Sequence, residues 1–362
     1  MKWSWKIARI AGIDVQVHAT FFLLVAWFGY LYWKNFGTLA AVIEGMTYIV
    51  ALFSCVVMHE FGHALTARRY GITTRHITLL PIGGVAAMEK MPENPIQEIK
   101  VALAGPMVNV VIAALLWLWM LFNSIEVSQE QLVATGGSFI FRLMVVNIFL
   151  AVFNLIPAFP MDGGRVLRAV FALRMPHHKA TARAAAIGQN FAILFGVLGL
   201  FYNPFLLLIA VFLWFGGGME NQAEQMKNAL AGATAADAML TDFHTLAPDA
   251  PLSTAISLTL AGSQKDFPVG TAQQLDGVLT QSDLIQALQL HGEHIEAGAL
   301  KLRPIKFVDH DTLVQELIND IQTSDTHMLA VRNAGQIVGM INLENIVELI
   351  NFQKALNSRA SS

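Results

Sequence analysis

The chain has 362 residues, of which 55% are hydrophobic and only 14% charged, against about 25% charged in ordinary soluble domains; its mean hydropathy is +0.52. That balance excludes a wholly soluble protein and implies several membrane spans. A net charge of -3 without a basic stripe leaves no footprint for nucleic acid, and the single cysteine, Cys55, excludes an intrachain disulfide.

In chain order, a basic stretch with Lys6 and Arg9 precedes an apolar run from Ala19 to Trp33. No small-x-small cleavage site follows closely, so the run reads as a retained first helix. Spans of about 20 apolar residues are expected at 16 to 33, 39 to 67, 105 to 122, 139 to 160, 184 to 202 and 204 to 218. The loop after the second span holds Ile77 to Met88, too short to cross a bilayer and rich in turn residues, which reads as a re-entrant β-hairpin. Lys and Arg gather on one side, at Lys6 and Arg9, at Arg68, Arg69 and Arg75, and from Arg165 to Arg183; only Lys34 and Arg142 fall opposite. By the positive-inside rule the rich side is cytoplasmic, with both termini on it. After about Glu220 charge becomes regular, and Pro and Asp punctuate short aliphatic runs. The expected division is a membrane domain over 1–220, a linker over 221–234, a cytoplasmic α/β module over 235–355 and a tail over 356–362.

The second span ends in His59-Glu60-Phe61-Gly62-His63. Residues i and i+4 share a helix face, so both histidines can reach one metal ion while Glu60 stands beside it to take a proton from water. Ionisable groups are costly in lipid and usually mark function there. A catalytic zinc needs a third protein ligand. Asp162 is the candidate, because the fourth span also runs inward and ends in Asn154-Leu-Ile-Pro157-Ala-Phe-Pro160-Met-Asp162-Gly163-Gly164. Its prolines cannot continue a regular helix, and the paired glycines allow a bend that presents a carboxylate. Cys55, one turn before His59, reads as a small buried core thiol.

These motifs, with Gly105-Pro106-Met-Val-Asn109 at the expected opening of the third span, resemble the site-2 protease family of intramembrane zinc metalloproteases. The resemblance implies His59, His63 and Asp162 as zinc ligands and Glu60 as catalytic base. It also implies Asn154 as a polar group near the substrate or its developing oxyanion; the alternative is that Asn154 satisfies neighbouring backbone. Substrates would be membrane proteins, among them anti-sigma factors and other single-span regulators, cut within or near their transmembrane segments. The hairpin would receive the unwound substrate as an added strand.

The C-terminal part shows two similar halves, marked by Phe267-Pro-Val269 with Gly277-Val-Leu-Thr280-Gln-Ser-Asp283 and by Met328-Leu-Ala-Val331 with Gly339-Met-Ile-Asn342-Leu-Glu-Asn345. It resembles a tandem pair of CBS domains. That resemblance implies an adenine nucleotide between the repeats, with Thr280 and Asp283 at its ribose, and a homo-oligomer formed through the module. In the second repeat Asn342 and Asn345 replace Thr and Asp, so one nucleotide site or none is expected. A ligand-free docking module is the alternative. Gly216-Gly217-Gly218 reads as a hinge or helix stop. A CBS-regulated transporter or channel, or a non-cleaving membrane scaffold, is the rival function. The concentration of polar groups at one depth, and the complete motif, argue against both.

Overall fold

The computed structural model describes residues 3–81, 83–88, 91–124, 138–262, 264–271 and 274–360. Contacts divide the chain into two compact units, Met1–Glu224 and Gln225–Ser362.

The first unit opens with strands β1 (Ser4–Ile10) and β2 (Ile13–His18), followed by helices α1 (Ala19–Phe36) and α2 (Leu39–Arg68), then by strands β3 (Thr74–Leu80) and β4 (Gly83–Met88). The strands form one sheet in the order β1-β2-β3-β4. β1 runs antiparallel to β2, β2 parallel to β3, and β3 antiparallel to β4. Alternation decides which face packs. Ile13 and Val15 of β2 and Ile77 of β3 cluster with Phe61 and Ala64 of α2, and Val17 and Leu79 cluster with Phe21, Ile49 and Phe53. Asp14 of β2 pairs with Lys6 of β1 at 2.6 Å. The first expected span, from residue 16, overlaps the end of β2, and neither β1 nor β2 is expected from hydropathy, which averages over the period-2 pattern that makes a strand.

Helices α3 (Pro95–Phe122), α4 (Phe139–Asn154), α5 (Asp162–Ala172), α6 (His177–Phe201) and α7 (Phe205–Ala229) complete the unit. Among the described residues, α2, α3, α6 and α7 are long and apolar enough to cross a membrane, and α4 is a shorter apolar helix. Three expectations need correcting. The helix that carries the third expected span begins at Pro95, ahead of residue 105: Asn94 caps it by accepting from Ile96 and Gln97 N–H, and Pro95 at the first helical position needs no donor partner. The fourth helix stops at Asn154 rather than 160, and an irregular segment runs from Leu155 to Met161. Gly216 to Gly218 neither stop nor hinge the last helix, which runs unbroken to Ala229, through most of the expected linker. Packing is the reason at Gly216, where an added Cβ would lie 2.4 Å from Pro160 Cδ.

The second unit contains α8 (Ala235–Ala238), α9 (Leu252–Ala261), β5 (Phe267–Gly270), β6 (Leu275–Leu279) and α10 (Gln281–His291), then β7 (Lys306–Asp309), α11 (Val314–Thr323), β8 (Met328–Asn333), β9 (Gln336–Asn342) and α12 (Leu343–Ala360). Each half buries its own core. One is built from Leu246, Leu252, Phe267, Val269 and Leu279, the other from Leu317, Ile321, Leu329, Val331 and Ile341.

Candidate metal centre

His59 and His63 lie one turn apart on α2, and their Nε2 atoms are 3.1 Å from each other. Asp162 Oδ2 lies 3.2 Å from His59 Nε2 and 3.1 Å from His63 Nε2. All three side chains are buried, with residue exposures of 6%, 3% and 6%. The far side of each ring is held by α3. His59 Nδ1 sits 2.6 Å from Asn109 Oδ1, and Asn109 in turn donates through Nδ2 to Asn147 Oδ1 on α4 at 2.8 Å. His63 Nδ1 meets the carbonyl of Val101 at 2.7 Å. Both partners are acceptors, so each ring donates from Nδ1, and in the neutral imidazole Nε2 is left as a bare lone pair.

Two lone pairs and a carboxylate oxygen therefore converge within 3.2 Å in a buried space. Acceptors so placed repel unless a cation lies among them. A tetrahedral ion with ligand bonds of about 2.0–2.1 Å would hold its ligand atoms about 3.3–3.4 Å apart, close to the triangle observed. Donor chemistry and spacing both fit zinc. Among the described residues these three form the one group of His, Cys, Asp and Glu placed to share a metal ion.

Close packing shapes the site. A Cβ at Gly105 would lie 2.2 Å from His63 Nε2 and 2.7 Å from His59 Nε2, so the rings occupy the space a side chain would need. At Gly62 a Cβ would stand 2.7 Å from Ala104 O; this small residue lets α2 and α3 meet backbone to backbone. Asp162 is the first residue of α5, directly after the irregular segment. Cβ atoms on Gly163 and Gly164 would fall 2.3 Å from Ile156 O and 2.6 Å from Phe159 N. These glycines serve close packing inside a helical turn rather than a bend. The other Asp162 oxygen, Oδ1, is 3.8 Å from Arg165 Nη1.

Glu60 is half-buried under β4, whose Gly84 comes so near that a Cβ would lie 2.8 Å from Glu60 Cγ. Asn154 ends α4 and donates from Nδ2 to the carbonyl of Leu150 at 2.9 Å, on its own helix. Cys55 is buried with its thiol against Asn147. The orienting roles of Asn109, Asn147 and Val101 are not legible in the sequence, with one signal excepted: Gly105 and Asn109 stand i and i+4, the spacing of the histidines they face.

The model for Peptidase family M50 matches residues 47–199, which contain all these groups. A zinc metalloprotease of Methanocaldococcus jannaschii is 30% identical over 97% of this chain and 97% of its own length. The chain belongs to the site-2 protease (M50) family. It is a zinc metalloendopeptidase, and like its family an integral membrane protein that acts on membrane protein substrates. The stage IV sporulation protein FB of Bacillus subtilis is 28% identical over 44% of this chain and 52% of that protein. A solved structure titled a site-2 protease from Methanocaldococcus jannaschii shares 35% identity, covering 60% of this chain and 95% of that one with a TM-score of 0.45. A CBS domain model matches residues 235–290 of this site-2 protease.

In that C-terminal unit Thr280 caps α10, accepting from Asp283 N–H at 3.3 Å and donating to Asp283 Oδ2 at 2.6 Å. Arg303 closes on the same carboxylate with Nε to Oδ2 at 2.6 Å and Nη2 to Oδ1 at 2.8 Å. This pairing holds Asp283 down to about 2. Both oxygens are thus engaged. A cleft of about 570 Å³ lies elsewhere in the unit, lined by His244, Lys265 and Asp266 of the first half and by His327, Asn342 and Asn345 of the second.

Proposed function

We propose that the protein hydrolyses peptide bonds in or beside transmembrane segments of other membrane proteins, with His59, His63 and Asp162 holding zinc and Glu60 as general base. One observation carries this reading: three buried acceptors converge on a common point, their rings locked in the ligating tautomer, beside a carboxylate outside the triangle. Held by these three residues, zinc would supply Lewis-acid chemistry, polarising the scissile carbonyl and making water more acidic. Glu60 accepts the proton of the attacking water and returns it to the leaving amine.

A peptide bond within a helix is shielded, so substrate must be bound extended. The outer edge of β4 supports this. It is an edge strand of sequence Gly-Gly-Val-Ala-Ala-Met, without the charge or proline that usually blunts such edges, and it crosses Glu60. A segment added there has its backbone beside the base. Asn154 is assigned a supporting polar role near that segment. The basic flanks favour six spans with a re-entrant hairpin and with both termini and the C-terminal module cytoplasmic. The two halves of that module are read as tandem CBS repeats that regulate cleavage. A nucleotide at Thr280 and Asp283 would have to displace Arg303, whereas the cleft at Asn342 and Asn345 is open.

The test is zinc content together with cleavage of a tagged transmembrane substrate by wild type, Glu60→Gln and Asp162→Ala. Wild type should carry about one zinc per chain and cut. Glu60→Gln should keep the zinc and lose about 10²–10⁴-fold in rate. Asp162→Ala should lose or weaken zinc; full occupancy in that variant would remove the third ligand.

A further inference from the structure

Arg168 carries one of the positive charges that suggested a cytoplasmic flank, yet only 3% of the residue is exposed. Its guanidinium is shared by two glutamates. Nε and Nη2 bond Glu98 Oε1 of α3 at 2.7 and 2.6 Å, and Nη1 bonds Glu220 Oε1 of α7 at 2.6 Å. Glu98 is fully buried. Its second oxygen, Oε2, makes no hydrogen bond of good geometry and lies 3.4 Å from His177 Nε2 at the start of α6. His177 Nδ1 meets Glu224 Oε1 at 2.8 Å. Four helices therefore meet at one cluster of charge, buried at Arg168 and Glu98 and partly exposed at His177 and Glu220.

Two of these helices, α3 and α5, also build the metal centre. α3 supplies Val101 and Asn109, which orient the two rings, and Glu98 lies one turn before Val101. α5 supplies Asp162, and Arg168 lies fewer than two turns beyond it, stacked over Phe159 of the irregular segment at 5.3 Å. Glu220 and Glu224 stand i and i+4 on α7, so one face of that helix holds both arms of the cluster.

We propose that Arg168 is a positioning residue: clamped between Glu98 and Glu220, it fixes the α3–α5 spacing that places the Asp162 carboxylate against the two histidines, and α7 sets that spacing through Glu220. This rests on the reading of Asp162 as a ligand. The guanidinium's rigid fork suits it to hold two carboxylates at once, which an ammonium does less well. Orienting groups around a metal typically change its affinity by about 10–100-fold. A displacement of α7 along its axis would move Glu220 and Glu224 together and be felt at Asp162.

The experiment is a cobalt(II) titration of the full-length protein in detergent, following the visible d–d bands that report ligand geometry, alongside kcat and KM. Glu220→Gln keeps the Arg168 to Glu98 pair and is the variant expected to fold. It should weaken cobalt binding by about 10-fold, shift the bands and lower kcat with KM unchanged. Arg168→Gln should do so more strongly, and Arg168→Lys should restore part of the wild-type spectrum. Wild-type affinity and bands in Glu220→Gln would overturn the proposal, as would a wild type whose cobalt is not lost in Asp162→Ala. Cobalt binding that responds to these variants in a protein that cuts nothing would instead overturn the protease reading and leave the positioning role standing.

Discussion

Asp162 and Asp283 are both aspartates in the first turn of a helix, one in each compact unit. Their surroundings are opposite. Asp162 faces two imidazole nitrogens whose protons have been directed elsewhere, so three buried acceptors share a point that a cation satisfies. Asp283 already has a cation of its own, the Arg303 guanidinium on both oxygens, with Thr280 as a third partner. An acceptor set left incomplete by the protein identifies a ligand site; one the chain completes by itself is structural until something displaces the partner.

That contrast can be broken at its strongest point by Gly105→Ala. A methyl group 2.2 Å from His63 Nε2 cannot coexist with the present ring positions, so zinc per chain should fall from about one to near zero, with cleavage at background. Retained stoichiometric zinc would mean that the rings have room the geometry denies them. A smaller effect is expected from Asn109→Ala, which leaves all three ligands but frees His59 to rotate and change tautomer. Zinc affinity should drop by about 10–100-fold, measured by competition with a chelator.

The second unit gives the smallest effect, and one of a different kind. Arg303 holds Asp283 near about 2, below its ordinary 3.8. A group depressed in the folded state contributes stability that is fully present above its unfolded value and is lost as pH falls through the folded one. Hydrogen exchange in α10 of the full chain should therefore accelerate as pH drops from about 4 to about 2 once the intrinsic rate is removed, and Asp283→Asn should flatten that limb. An unchanged limb in the variant would mean that Arg303 does not hold the carboxylate. At neutral pH, adding a nucleotide should leave exchange in α10 unchanged if Arg303 keeps the site closed; protection there would show that the ligand displaces it.

Much of the metal centre was legible because its chemistry is written locally. The i, i+4 histidines need only a helix, and Asp162 needs only a span that runs the same way and ends at the same depth. What could not be read depends on contacts between helices. Gly105 looks like the start of a span and turns out to be a hollow in the middle of one, because Asn94 and Pro95 begin the helix three turns earlier. Gly216 looks like an end because an interior glycine costs a helix about 1 kcal/mol relative to alanine, yet Pro160 leaves no room for anything larger. Arg168 looks like a surface charge until Glu98 and Glu220 are seen on either side of it. Strands β1 and β2 were hidden for another reason: Ile13, Val15 and Val17 do alternate, but so short a run is absorbed into the longer hydropathy signal of α1.

The asparagine relay behind His59 has a polarity. Asn147 donates to the Leu143 carbonyl at 2.8 Å, a group that cannot itself donate, so the Asn147 oxygen must turn toward Asn109, and the Asn109 oxygen toward the ring. Flipping either amide would set donor against donor or acceptor against acceptor somewhere along the chain. The proton on His59 is thus assigned by a backbone carbonyl three links away, and the wrong tautomer, with N–H aimed into the metal position, is excluded by a line of dipoles that can point only one way.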